Sequence, residues 1–177
     1  MPADESKYQS QDNNCWPDSD QLWRWSLALY PSIKSTALQW QDEYGVNVNL
    51  LLLLLYLQRR RQPLQAAEIV LLQQAVQAQQ QLFTAPLRQL RRQLPAHLSE
   101  SIAATFKQQL LQAELYSEQL EQQQLIQSLQ SLPLRPALPE TSLLMLYLQQ
   151  LAIDPTPLQL QIVDLDQAAT TVEIPPA

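Results

Sequence analysis

Arg88, Arg91 and Arg92, with Glu114, Glu118 and Glu121, are the side chains of this chain best spaced to act together. On a helix, Arg88 and Arg92 lie one turn apart with Arg91 beside them. Three guanidinium groups then share one edge while Leu87, Leu90 and Leu94 turn towards the core. Arginine suits anion recognition because its donors form a planar, weakly hydrated fork. The glutamates repeat at i, i+4, i+7 on a later helix and would meet the arginines if the two helices packed antiparallel. Internal ion pairing is therefore one reading. A surface for an acidic segment of another protein is a second, and a site for phosphate or nucleic acid a third. Nucleic acid is disfavoured by the net charge of −6 and by the lack of aromatic residues among the arginines. With Glu114 or Glu118 as acid or base, the same set would serve a small helical enzyme or sensor holding an anionic metabolite between helices.

Other chemistries find no support. The chain has one glycine, Gly45, whereas phosphate loops, dinucleotide fingerprints and nucleophile elbows need several close together. The only histidine, His97, and the only cysteine, Cys15, are far apart in the chain. A nucleophile–base pair from them is disfavoured because Cys15 lies in a polar leader. Too few His and Cys are present for a zinc site, and no Glu-x-x-His pair of a dimetal bundle occurs. No metal and no cofactor is expected. Asp42-Glu43 reads as a solvated pair ahead of a helix end. The lone cysteine suggests a reducing compartment, and the polar start shows no signal peptide, so a cytosolic protein is expected. Val48 to Leu57 is apolar but falls short of the ~20 residues of a membrane span.

The elements that must carry these residues read as all-α. Leucine and glutamine dominate the composition, and both favour helices. The expected architecture is a single bundle of six or seven helices around a central leucine helix. Residues 1–17 are expected to be a disordered leader and 18–132 the helical domain. Residues 133–177 are expected to be a proline-rich linker, a short apolar helix and a loose, variable tail. Asp18 or Asp20 should cap a first helix with Trp23, Leu27 and Tyr30 on one face, ended by Pro31. Large aromatic residues there read as core, with an aromatic-lined pocket from Trp23, Trp25, Tyr30 and Trp40 as the alternative. A second helix should run from about Ser32 to Tyr44, and a third from about Val48 to Arg61, surrounded by the others. Pro63 should open a fourth, with a new start or kink at Thr84-Ala85-Pro86. Ser99 should cap a long helix reaching about Leu132, and Glu140 to Leu151 a short one. Leu158 to Ile162 reads as extended or weakly helical.

The second and third helices meet at a corner formed by Asp42, Gly45, Asn47 and Asn49. Glycine closes a helix in the left-handed conformation without a Cβ penalty, and an asparagine can then cap the next helix. The second asparagine, beside six leucines, must find partners or cost about 1–3 kcal/mol. Arg59-Arg60-Arg61 at the far end of the leucine helix is accounted for by the helix dipole.

Leu22-Trp23-x-x-Ser26-Leu27-x-x-Tyr30, Gln41-Asp42-x-x-Gly45-x-x-Val48-Asn49-x-Leu51-Leu52, Pro86-Leu87-Arg88-x-x-Arg91-Arg92 and Glu114-Leu115-x-x-Glu118 occur in this order. In that order and spacing the chain resembles an uncharacterised family of small proteobacterial proteins over about residues 20 to 130. The resemblance implies a cytosolic bacterial helical domain in which the basic and acidic blocks belong to one pattern. It supplies no activity, cofactor or catalytic residue. The reading that results is a non-enzymatic interaction or adaptor protein. It would hold another protein through the Arg88/Arg91/Arg92 edge, paired or not with Glu114 and Glu118, or through the glutamine-rich faces of the long helix.

Overall fold

The computed structural model describes residues 15–94, 98–136 and 142–175. Every regular element among them is helical: α1 (Ser19–Tyr44), α2 (Val48–Arg59), α3 (Ala66–Gln79), α4 (Ala85–Arg92), α5 (Glu100–Leu129), α6 (Leu143–Gln150) and α7 (Gln159–Thr171). A π turn, Gln80–Thr84, joins α3 to α4 without a break, so seven segments make six rods. None of the described helices is long and apolar enough to cross a membrane.

The leucine helix lies at the centre, as its all-round apolarity requires. Leu50 to Leu57, with Tyr56 among them, are almost wholly buried, and α2 packs against α1, α5, α6 and α7. Trp25 of α1 meets Tyr56 edge to face at 5.1 Å.

Pro31 does not end the first helix. A single α1 runs through it, although an interior proline removes a hydrogen bond and costs about 3 kcal/mol. Burial outweighs that cost, because Leu22, Trp25 and Leu29 before it and Ile33, Ala37 and Trp40 after it form one stripe into the core. Pro31 itself faces solvent, as does Leu27, whose carbonyl it leaves without a helical donor.

One further boundary differs from expectation, and the open reading of Leu158 to Ile162 falls to its helical alternative. α3 starts at Ala66 rather than at Pro63, because Gln65 and Glu68 form a capping box that satisfies the first free N–H groups. Beyond Pro155, the strand-like alternation at Leu158 to Ile162 is helical. A 3₁₀ turn, Thr156–Leu158, leads into α7, and Leu158, Ile162, Leu165 and Ala169 are buried against the bundle. The tail is docked along this stretch.

The end of the leader is docked as well. Pro17 is buried, Trp16 Nε1 donates to the Leu132 carbonyl at 3.0 Å, and the Cys15 carbonyl accepts from Arg60 and Gln62. The rest of the leader, residues 1–14, lies outside the described residues, as does His97.

Candidate functional site

α4 and the middle of α5 pack together and bring the basic and acidic blocks into contact. Arg88 is the hub. Its Nε donates to Glu114 at 2.9 Å, its Nη2 to Glu118 at 2.8 Å and its Nη1 to Gln41 of α1 at 2.7 Å. Arg91 grips Glu114 from the other side at 2.6 and 3.2 Å. Arg92 reaches Asp42 only at 3.6 Å, with both side chains about half exposed. Burial pushes the Glu118 carboxyl up from its ordinary range, against the pull of Arg88 beside it. The Tyr30 hydroxyl is likewise raised by burial and by Glu118.

Glu121 departs from this pattern. It is the third glutamate of the repeat, yet it turns away from the arginines and is buried with no cation against it among the described residues. Its carboxylate accepts from Asn47 Nδ2 at 3.1 Å, from Asn49 Nδ2 at 2.9 Å and from the Thr84 hydroxyl. Both asparagines of the corner are thus satisfied by one carboxylate. Asn47 also caps α2 by accepting from the Leu50 N–H at 2.8 Å, while its own N–H donates to the Tyr147 hydroxyl at 2.9 Å. Burial pushes that phenol up to about 12. Gly45 closes α1 in the left-handed conformation, φ 71°. Thr84, at the end of the π turn, is linked through Ser117 to Gln79. The extra residue of a π turn rotates the next side chains around the helix axis, and here Thr84 faces Glu121.

Between α1, α2, α4 and α5 lies a half-open cleft of about 380 Å³, within the size range of ligand pockets. Arg88, Arg91, Arg92, Glu114 and Glu118 all line it, so the structure brings the five predicted binding residues into one place. Lys34 lines it too, giving four cations against two carboxylates in a chain of net charge −6. Apolar side chains line it as well: Trp23, Leu27, Tyr30, Leu38, Leu111 and Leu115. Trp23, Leu27 and Tyr30, expected to face the core, face this cleft instead, and Trp25 and Trp40 go to the core. A stripe at i, i+4, i+7 was visible in the sequence, but α1 carries two such stripes and only one can face inward.

Lys34 and Gln122 were not singled out by sequence reasoning, and Ser26 and Gln41 were named only as positions of the ordered motifs. Gln41, inside the Gln-Asp-x-x-Gly block, had the clearest signal. Arg59 is exposed, whereas Arg60 is buried with its guanidinium 5.9 Å above the Tyr56 ring. No group of three or more metal-ligating side chains occurs among the described residues.

The chain belongs to a family described as a protein of unknown function, DUF2390, whose model matches residues 21–125. That span contains the corner, the arginine edge and all three glutamates, and ends before α6 and α7. No curated protein and no solved structure matches the chain.

Proposed function

We propose that this protein is a non-enzymatic cytosolic binding module that holds a segment of another protein in the cleft between α1, α4 and α5. The observation that carries the reading is the composition of the cleft. Its lining combines partly exposed apolar side chains, with Leu27 50 % and Leu111 42 % accessible, and an excess of cations. An apolar segment with an acidic residue is complementary to that lining. Apolar contact supplies affinity and the charged rim supplies register.

The alternative, an enzyme or sensor for an anionic metabolite, is not favoured. It needs guanidinium groups available to the anion, and Arg88 and Arg91 are committed to Glu114 and Glu118. An incoming anion would have to displace a carboxylate that is itself buried.

Comparative capture from the native host tests the proposal. Leu27→Glu and Leu115→Glu place a charge in the cleft, and Leu160→Glu, at a position 81 % exposed on α7, is the control. A stoichiometric partner kept by wild type and the control but lost by both cleft variants, with unchanged melting, is the expected result. A partner kept by all three, or none captured by wild type, contradicts the reading.

A further inference from the structure

α5 carries two seams. Leu110, Glu114, Ser117, Glu121 and Leu125 are buried against the bundle. Ile102, Phe106, Gln109, Ala113, Tyr116 and Leu120 recur at alternating spacings of four and three, the period that keeps one seam of a helix turned towards a facing helix. This second seam meets solvent. Ile102, Phe106 and Tyr116 are 57 %, 42 % and 64 % exposed, Gln109 and Ala113 are exposed, and Leu120 is half-buried. The cleft takes a different side of α5, lined by Leu111, Glu114, Leu115 and Glu118. The charges of α5 also avoid the second seam. At ~100° per residue, Glu100, Lys107, Glu114, Glu118 and Glu121 fall within about 60° of one another, in a sector the seam does not enter. One flank of the seam is closed by the chain's own α3–α4 rod, where Ser117 meets Gln79 and Thr84. The open flank, Thr105, Gln112 and Gln119, is polar and uncharged. In a chain of net charge −6, a neutral face is where an identical chain approaches without like-charge repulsion.

We propose that this seam is the interface of a homodimer, in which α5 of one copy lies antiparallel on α5 of a second. The inference is independent of the cleft and of what the cleft holds. An antiparallel pair centred at Leu111 sets Ile102 against Leu120 of the second copy, Phe106 against Tyr116, and Gln109 against Ala113. Large side chains then meet large ones, and the one polar member lays its stem over the smallest. A parallel pair would set Ala113 on Ala113 and leave a void, which close packing disfavours. The seam runs about 27 Å along the helix. Side chains of roughly 200 Å² that are about half exposed give, with their flanks, about 500 Å² per copy. The ~1,000 Å² of both copies meets the lower bound of a specific interface, so the dimer is weak and in equilibrium with monomer.

Sedimentation equilibrium of the full chain from about 1 to about 200 µM, the range of a weak interface, tests the association. The mass is expected to rise from one chain towards two, in wild type and equally in Leu27→Glu and Leu160→Glu. Tyr116→Glu is expected to weaken association roughly tenfold or more, as loss of a central aromatic contact does, with unchanged melting of the monomer. Should it fail to fold, Gln109→Glu, which sets like charges across the two-fold axis, is read instead. Disulfide formation in a Cys15→Ser background reads the register. Gln112→Cys is expected to join to its own copy, and Thr105→Cys to join to Gln119→Cys but not to itself. A chain that stays monomeric at the highest concentration overturns the inference; a different protein captured from a benzophenone amino acid at Tyr116 would then be the occupant of the seam. Association that survives charge at Tyr116 and Gln109, dissociation by Leu27→Glu, or self-joining of Thr105→Cys overturns it as well.

Discussion

Asn49 Nδ2 lies 2.9 Å from Glu121 Oε2, joining the start of the central helix to the middle of α5 through a carboxylate that has no cation beside it among the described residues. Asn47, Asn49 and Thr84, from the α1–α2 corner, the start of α2 and the π turn, all donate to that one side chain. Replacing it by glutamine turns an acceptor into a donor facing donors. Glu121→Gln is expected to lower unfolding stability by roughly 1–3 kcal/mol, the cost of stranding a buried polar group, as read by urea denaturation. An unchanged midpoint would show that the network contributes nothing.

Among the described residues, three helix ends close on a left-handed residue: Gly45 (φ 71°), Arg61 (φ 54°) and Ala152 (φ 58°). At each, paired backbone bonds tie the following residues back to the last turn, as in Gln62 N to Leu57 O at 2.9 Å and Ile153 N to Leu148 O at 3.0 Å. A Cβ at Gly45 would meet nothing within 4 Å, so a substitution there acts through backbone strain alone. Gly45→Val should cost more than about 1 kcal/mol, and Ala152→Gly and Arg61→Gly should each gain roughly 0.5–1 kcal/mol. Thermal melts of the three variants check the opposite signs.

These ends also mark the limit of what the chain discloses unaided. Gly45 with Asn47 and Asn49 announced its corner, because only glycine takes that conformation freely. Arg61 and Ala152 take it under tertiary constraint, with no local sign. The central helix was legible from Leu50 to Leu55, since nothing but burial suits six leucines. Pro31 misled because a helix-breaker's local cost was outweighed by a core stripe passing beneath it. In the site, the match of Arg88 and Arg91 with Glu114 and Glu118 could be read from spacing. The departure of Glu121 could not, because it depends on Asn47, Asn49 and Thr84 from three separate segments meeting at one carboxylate, which spacing along α5 does not show. The cleft was hidden by the choice between the two apolar faces of α1, which only the position of α5 decides.

Asp166 of α7 accepts from Gln58 Nε2 at 2.6 Å, and burial raises its carboxyl from 3.8 to about 6. The folded state therefore binds this proton more tightly than the unfolded chain. Its contribution is present below about pH 4 and is lost as pH rises through 6. Asp166→Asn keeps an acceptor for Gln58 and should melt higher than wild type at pH 8, with the difference closing by pH 4. Equal melting at pH 8 would contradict the burial argument.

The arginines differ in what they hold. Arg88 and Glu114 are 13 % and 5 % exposed as side chains, against 46 % and 55 % for Arg92 and Asp42. Arg88→Met leaves Glu114 with Arg91 alone and removes the bonds to Glu118 and Gln41. A loss of about 2–3 kcal/mol is expected, below the ~3–5 kcal/mol of a fully buried pair because the cleft is open to water. Arg92→Met should fall within about 0.5 kcal/mol of wild type. Chemical denaturation of both variants measures the contrast, and equal losses would mean the edge is not organised around Arg88.

The claim on which the functional account rests is that the cleft is occupied by another protein in the cell. Photo-crosslinking from a benzophenone amino acid placed at Leu27, at Leu115 and, as control, at Leu160 tests it where it applies. One partner band shared by Leu27 and Leu115 and absent at Leu160 is the predicted result. No band from either cleft position, or the same band from Leu160, would contradict it.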